Sequence, residues 1–174
     1  MPLTRIKSAG ATGGYLTSVT ANDLPAGSVL QMLETRAGSD VSNQTTTYAD
    51  CLSLNITPSS SSNKIAVYAA LDVLLYASVR VDAYVRLAKT VGGATSNISE
   101  RVIHNLHGSG TYYPYETDTT PFLILDSPST TSEITYKLQI RKGTSSGTVY
   151  HCIGNAMGQS LSLIHISEPT RHRR

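Results

Sequence analysis

Val79-Arg-Val-Asp-Ala-Tyr-Val-Arg-Leu87 alternates without a break. Val79, Val81, Ala83, Val85 and Leu87 form one set, and Arg80, Asp82, Tyr84 and Arg86 form the other. A period of two belongs to a β-strand with one face in a core and one in water. A slip of one residue would bury Arg80, Asp82 and Arg86 in place of the apolar set, so the pattern fixes the register as well as the element. Ile134-Thr-Tyr-Lys-Leu-Gln-Ile140 repeats the arrangement, with Ile134, Tyr136, Leu138 and Ile140 inward.

Working outward, Leu52, Leu54 and Ile56 make a third strand, closed by Pro58 and the run Ser59–Ser62. Ile65 to Tyr76 is the most apolar stretch. Its β-branched content and the serine turn before it favour one long strand, with a bend expected near Asp72. Weaker strand patterns occur at Val29–Thr35, Arg101–Leu106, Phe122–Asp126, Val149–Ile153 and from Gly158 onward. Eight or nine short, two-faced strands separated by turn residues predict an all-β fold, an antiparallel β-sandwich of jelly-roll type. Clean alternation argues against a parallel sheet buried on both sides. Residues 1–27 carry few large apolar groups and several glycines, and read as an irregular N-terminal arm or linker. The sandwich domain is expected over 28–160.

The stretch Leu161-Ser-Leu-Ile-His-Ile-Ser-Glu-Pro-Thr-Arg171 resembles the translation of a transposase-type sequencing adapter over eleven residues in register. Residues 161–174 are therefore expected to be foreign, with the native C-terminal strand cut near Ser160. This changes the charge argument. The chain has 14 Lys+Arg and 12 Asp+Glu. Arg171, Arg173, Arg174 and Glu168 fall in the tail, which leaves eleven of each sign and a neutral body. A neutral body without basic clusters lacks the electrostatic footprint of a nucleic-acid binder. No apolar run has the length of a membrane span, and the N-terminus shows no signal-peptide stretch. Synthesis in a cytoplasm, with assembly into a particle there, is the expectation. Cys51 and Cys152 lie far apart, without metal-type spacing, and are expected as free, buried thiols.

Three segments carry a resemblance, in order over about 25–140. They are Pro25-Ala-Gly-Ser-Val-Leu-Gln31, Leu54-Asn-Ile-Thr-Pro-Ser-Ser-Ser-Ser-Asn-Lys-Ile65 and Leu125-Asp-Ser-Pro-Ser-Thr-Thr-Ser-Glu-Ile-Thr-Tyr-Lys-Leu-Gln139. The pattern resembles tail-fibre and appendage proteins of tailed bacteriophages, especially marine and metagenomic ones. In those proteins the three segments open the domain, turn into a long strand, and lead from a loop into a late strand. The resemblance implies a virion component. By analogy it also implies a homotrimer joined through its arm to other virion proteins.

Candidate chemistry is sparse. His104 and His107 are three apart, which on a strand means opposite faces, so no metal site is expected. Asp126-Ser127-Pro128 has no nucleophile elbow around the serine and reads as a local turn. Gly92-Gly93 reads as a strand-to-strand turn, and the three Asn-x-Ser/Thr triplets at Asn43, Asn55 and Asn97 as chance matches. The loop Gly108–Thr119 differs in kind. Tyr112, Tyr113 and Tyr115 offer rigid amphipathic rings, and Glu116 and Asp118 offer acceptors for sugar hydroxyls. These five residues are the expected ligand-binding set, with a host-surface glycan as ligand and no cofactor.

The leading reading is a phage appendage domain, a fibre or spike tip that contacts the host and is not an enzyme. Two rivals come from other classes. A carbohydrate-active enzyme on a sandwich would need two carboxyls within about 5–10 Å across a groove. A decoration protein without a ligand would need neither carboxyls nor a tyrosine surface. The second face of the long strand, with Ala66, Tyr68, Ala70, Leu74 and Tyr76, is too apolar for open water and marks the expected self-association surface. The adapter reading has its own check. Unamplified genomic DNA at this locus should not encode Leu161–Arg171, and finding those codons there would refute it.

Overall fold

The computed structural model describes residues 24, 27–36, 41–76, 82–104, 115–143, 149–152 and 160–167. The arm up to residue 23, Val79–Val81 and Tyr112–Tyr113 lie outside them. Nine strands follow in order: β1 (Val29–Arg36), β2 (Ala49–Ile56), β3 (Lys64–Tyr76), β4 (Asp82–Val91), β5 (Ala94–His104), β6 (Tyr115–Asp126), β7 (Ile134–Lys142), β8 (Val149–Cys152) and β9 (Ser160–Ile166). No helix occurs among the described residues, and none is long and apolar enough to cross a membrane.

The strands form two antiparallel sheets, ordered β1-β9-β3-β6 and β2-β7-β4-β5, with β8 also on β3. β6 pairs along the whole of β3, from Ile65↔Asp126 to Tyr76↔Tyr115. The other edge of β3 is shared: β9 takes Lys64–Ala70, and β8 meets Val73 and Leu75. β8 and β9 thus act as one strand interrupted opposite Leu71–Asp72. Counted so, the sheets read 1-8-3-6 and 2-7-4-5, the strand order of an eight-stranded jelly roll. The expected fold class is what the chain adopts. β3 runs through Asp72 with no register shift against β6.

The core lies between the sheets and follows the alternation. Ala83, Val85 and Leu87 of β4 are fully buried, as are Ile134, Tyr136, Leu138 and Ile140 of β7. They meet Ile65, Val67, Ala69, Leu71 and Val73 of β3 and Phe122 of β6. Gly92 and Gly93, at φ 56° and 85°, form the β4–β5 turn. Positive φ at both central residues suits a tight hairpin, and glycine adopts it without Cβ strain. β5 accordingly begins at Ala94, earlier than the Arg101 start read from the alternation.

Two polar devices tie the sandwich. Asp126 ends β6 and accepts both Lys89 Nζ (2.8 Å to each oxygen) and Tyr136 Oη (2.7 Å). Lys89 and Tyr136 belong to the other sheet, so the contact joins the layers at one end. Burial, and next the Asp126 carboxylate, hold the Tyr136 phenol well above its ordinary pKa. The turn expected from Asp126 side-chain bonding is corrected. Its carboxylate is used across the sandwich, and the loop is closed locally by Ser129 and Thr130. Asn43 is the second device. It is 5% exposed, donates to the carbonyls of Thr47 and Ile140, and accepts from Thr45. It holds the β1–β2 connection to β7.

The free-thiol expectation is overturned. Cys51 of β2 is disulfide-bonded, and the chain's other cysteine, Cys152, belongs to β8 in the opposite sheet. Disulfides persist in oxidising surroundings and on particle surfaces, where a lone spacing argument from sequence has no purchase.

β9 fills the gap between β1 and β3, with seven register pairs on each side. Leu161 and Leu163 are fully buried, and His165 takes the third inward position at 3% exposure. Asn63 Nδ2 lies 2.7 Å from His165 Nε2 and 2.9 Å from Ser59 Oγ. With the amide donating to both, the imidazole must be neutral. Burial keeps its pKa below the ordinary 6.5. As pH falls, the unfolded chain takes up this proton before the folded one does. The stabilisation is therefore complete above about pH 6.5 and declines below it. The urea midpoint should fall between pH 8 and 5, and His165→Leu should flatten that limb. Equal slopes in both proteins would contradict the assignment.

Candidate functional site

The expected binding set divides. Tyr112 and Tyr113 lie outside the described residues. Tyr115, Glu116 and Asp118 were expected on a loop, but their backbone belongs to β6, paired with Tyr76, Leu75 and Val73 of β3. The polar run Glu116-Thr-Asp-Thr-Thr120 looked like loop because its strand signal is weak. Pairing along β3 overrides the local preference. The register places Glu116 and Asp118 two residues apart, with Thr120 and Phe122 next in the same alternation.

Immediately beyond this segment, a cleft of about 250 Å³ opens where edge strands β5 and β6 face each other. Arg101, Val102 and Ile103 line it from β5, and Thr119, Thr120 and Pro121 from β6. The same two strands flank the tyrosine-bearing segment. Thr119 donates its hydroxyl to Asp72, which is only 6% exposed although it stands on the outer face of β3. Ile103 and Thr120 are buried; Arg101, Thr119 and Pro121 are exposed. Arg101 carries the alternation of buried Ile103 and so stands on the core-facing side of an edge strand. An inward charge at such an edge also discourages pairing with another sheet.

The outer faces of the two sheets differ sharply. On the β2-β7-β4-β5 sheet, Arg86 lies 3.7 Å over the Tyr48 ring, and Arg141 lies 3.7 Å over Tyr84. Arg86 donates to Gln139 (2.7 Å), Lys137 and Gln139 donate to Asp50, and Tyr48 donates to Glu100. Desolvation works to raise the Asp50 pKa, but the Lys137 and Gln139 hydrogen bonds outweigh it and hold the carboxyl below its ordinary value. Each charge here already has its partner, and the face is built for water.

The β1-β9-β3-β6 sheet presents the opposite. Met32 of β1, Tyr68 of β3 and Leu123 and Leu125 of β6 are 63%, 47%, 79% and 57% exposed. The register joins them: Met32↔Ile164↔Ala66↔Leu125 runs across all four strands, and Tyr68↔Leu123 lies beside it. The stripe expected on β3 alone is thus one part of an apolar surface that runs across the sheet.

His104 is half-exposed and has a partner. Its Nδ1 lies 2.7 Å from Asp82 Oδ1 on β4. His107 lies outside the described residues. Among the described residues no group of three or more His, Cys, Asp or Glu is placed to hold a metal ion.

No protein-family model matches the sequence, and no curated protein matches it. Among solved structures, the chain is similar to the VP2 subviral particle of infectious bursal disease virus, at TM-score 0.43 and 15% identity over 79% of this chain. It is similar also to the Gt strain of that virus, at TM-score 0.45 and 12% identity over 95% of this chain. It spans 32% and 43% of the length of those two chains.

Proposed function

We propose that this chain is a structural domain of a virus particle, and within that class a phage appendage domain, a fibre or spike tip that meets the host surface without enzymatic activity. The observation that carries the reading is the sheet-wide apolar face of Met32, Tyr68, Leu123 and Leu125 on a rigid sandwich whose other face is polar and self-satisfied. Such an asymmetric domain suits assembly through one face. The resemblance of three sequence segments to phage appendage proteins supports the same class, and the Cys51 disulfide suits a protein that leaves the reducing interior of a cell. A homotrimer is the proposed assembly, joined to other virion proteins through the arm. Residues 161–174 are proposed to be adapter-derived and foreign to the protein.

Light scattering at micromolar concentration should give three times the 18.6 kDa chain mass. Leu123→Ser with Leu125→Ser should give a monomer whose stability per chain changes by no more than about 0.5 kcal/mol per site, since both side chains are exposed. A monomeric parent protein, or a trimer unmoved by both changes, would remove the proposed interface.

Host contact is assigned to the tyrosine-bearing segment. Because Tyr115 belongs to β6, the test is made on Tyr112 and Tyr113. Changing both to Ala should abolish adsorption to host cells and leave the melting temperature in place. Unaltered adsorption would put the contact elsewhere.

A further inference from the structure

We infer that the cleft between β5 and β6 is a binding site for a sugar carboxylate, with Arg101 and Thr120 as its two recognition groups. Two independent observations meet there. Among the described residues, every other lysine and arginine has a partner: Arg36 with Glu34, Arg86 with Gln139, Lys89 with Asp126, Lys137 with Asp50, Arg141 on Tyr84, and Lys64 and Lys142 with contacts of their own. Arg101 alone among them has none. Thr120 is 5% exposed and lines the same cleft, and its hydroxyl meets no hydrogen-bond partner among the described residues. A buried hydroxyl left unpaired costs free energy and calls for a reason. Arg101 lines the cleft, and a guanidinium matches a carboxylate in fork geometry, with two parallel N–H···O bonds.

The rest of the cleft selects among carboxylates. Val102, Ile103 and Pro121 supply apolar walls for the C–H face of a sugar ring, and about 250 Å³ suits a single ring. The Thr120 hydroxyl both donates and accepts, as a ring oxygen or a sugar hydroxyl requires. Thr119 retains acceptor capacity while it donates to Asp72. The ligand class is a uronic-acid-type sugar. This deepens the glycan-contact reading above by naming a sugar chemistry, and its test uses free sugars, so it fails separately from the adsorption measurement.

The test is an amide chemical-shift titration of the full chain with glucuronate, glucose and acetate. Glucuronate should shift the amides of Ile103 and Thr120 and bind more tightly than either control. Arg101→Gln should weaken glucuronate about tenfold, the scale of one lost charged hydrogen-bond pair, and leave glucose unchanged. Thr120→Val keeps the shape, should weaken glucuronate several-fold, and should not lower the melting temperature. Acetate binding as tightly as glucuronate would overturn the sugar class. Shifts confined to other strands, an unaltered affinity in Arg101→Gln, or a lower melting temperature in Thr120→Val would overturn the site. The shift map is made on the unaltered chain, so it decides the matter even if a variant fails to fold.

Discussion

Among the described residues β1 pairs with no strand other than β9, and β9 lies between it and β3 along seven residues on each side. Take β9 away and β1 loses its whole ladder, while Lys64–Ala70 of β3 lose one row of backbone partners. Buried main-chain groups left in that state are costly. Leu161 and Leu163 also fill the core from this strand. On the adapter reading, this central place is taken by a segment never selected for it. The groove demands two things, a free backbone ladder and apolar groups at alternate positions, and Leu161 and Leu163 meet both. The third inward position is polar: His165 is met there by Asn63, while Ile164 and Ile166 fall on the other face. A core position held by a neutral imidazole is tolerated near neutral pH and weakens in acid.

The remaining architecture divides labour between the two sheets. The β2-β7-β4-β5 sheet completes its own electrostatics on its outer side, through Asp50, Arg86, Gln139 and Lys137. The other sheet leaves leucines in the open on β6. The Lys89–Asp126–Tyr136 contact and the core between them tie the two sheets together, with the apolar face on one side of the sandwich and the polar face on the other. Pro121 within edge strand β6 blunts further pairing at that edge. The open surface favours packing face to face over strand addition.

How much of this was legible in the sequence follows the range of the physics involved. The Ala83–Leu87 and Ile134–Ile140 alternations, and the Gly92-Gly93 turn, are local patterns with a unique solution, and they appear as read. Val81, expected inward with them, lies outside the described residues. β6 was recognised only from Phe122 onward. Its polar half at Tyr115–Thr120 is strand because β3 extends beside it, a fact absent from its own composition. The Cys51 disulfide and the use of Asp126 by Lys89 and Tyr136 depend on which strands the topology brings together. So does the cleft. Arg101 and Thr120 are ordinary residues in their own segments, and no spacing links positions nineteen apart on facing edges. Of the expected site, the structure places Tyr115, Glu116 and Asp118 on β6 beside that cleft.

Native-state hydrogen exchange on the full chain tests most directly whether β9 closes the sheet. Amides of Leu161–Ile166 should exchange slowly and in step with Val67 and Ala69 of β3, as members of one cooperative ladder. Exchange of the β9 amides at free-peptide rates, with β3 still protected, would contradict the account.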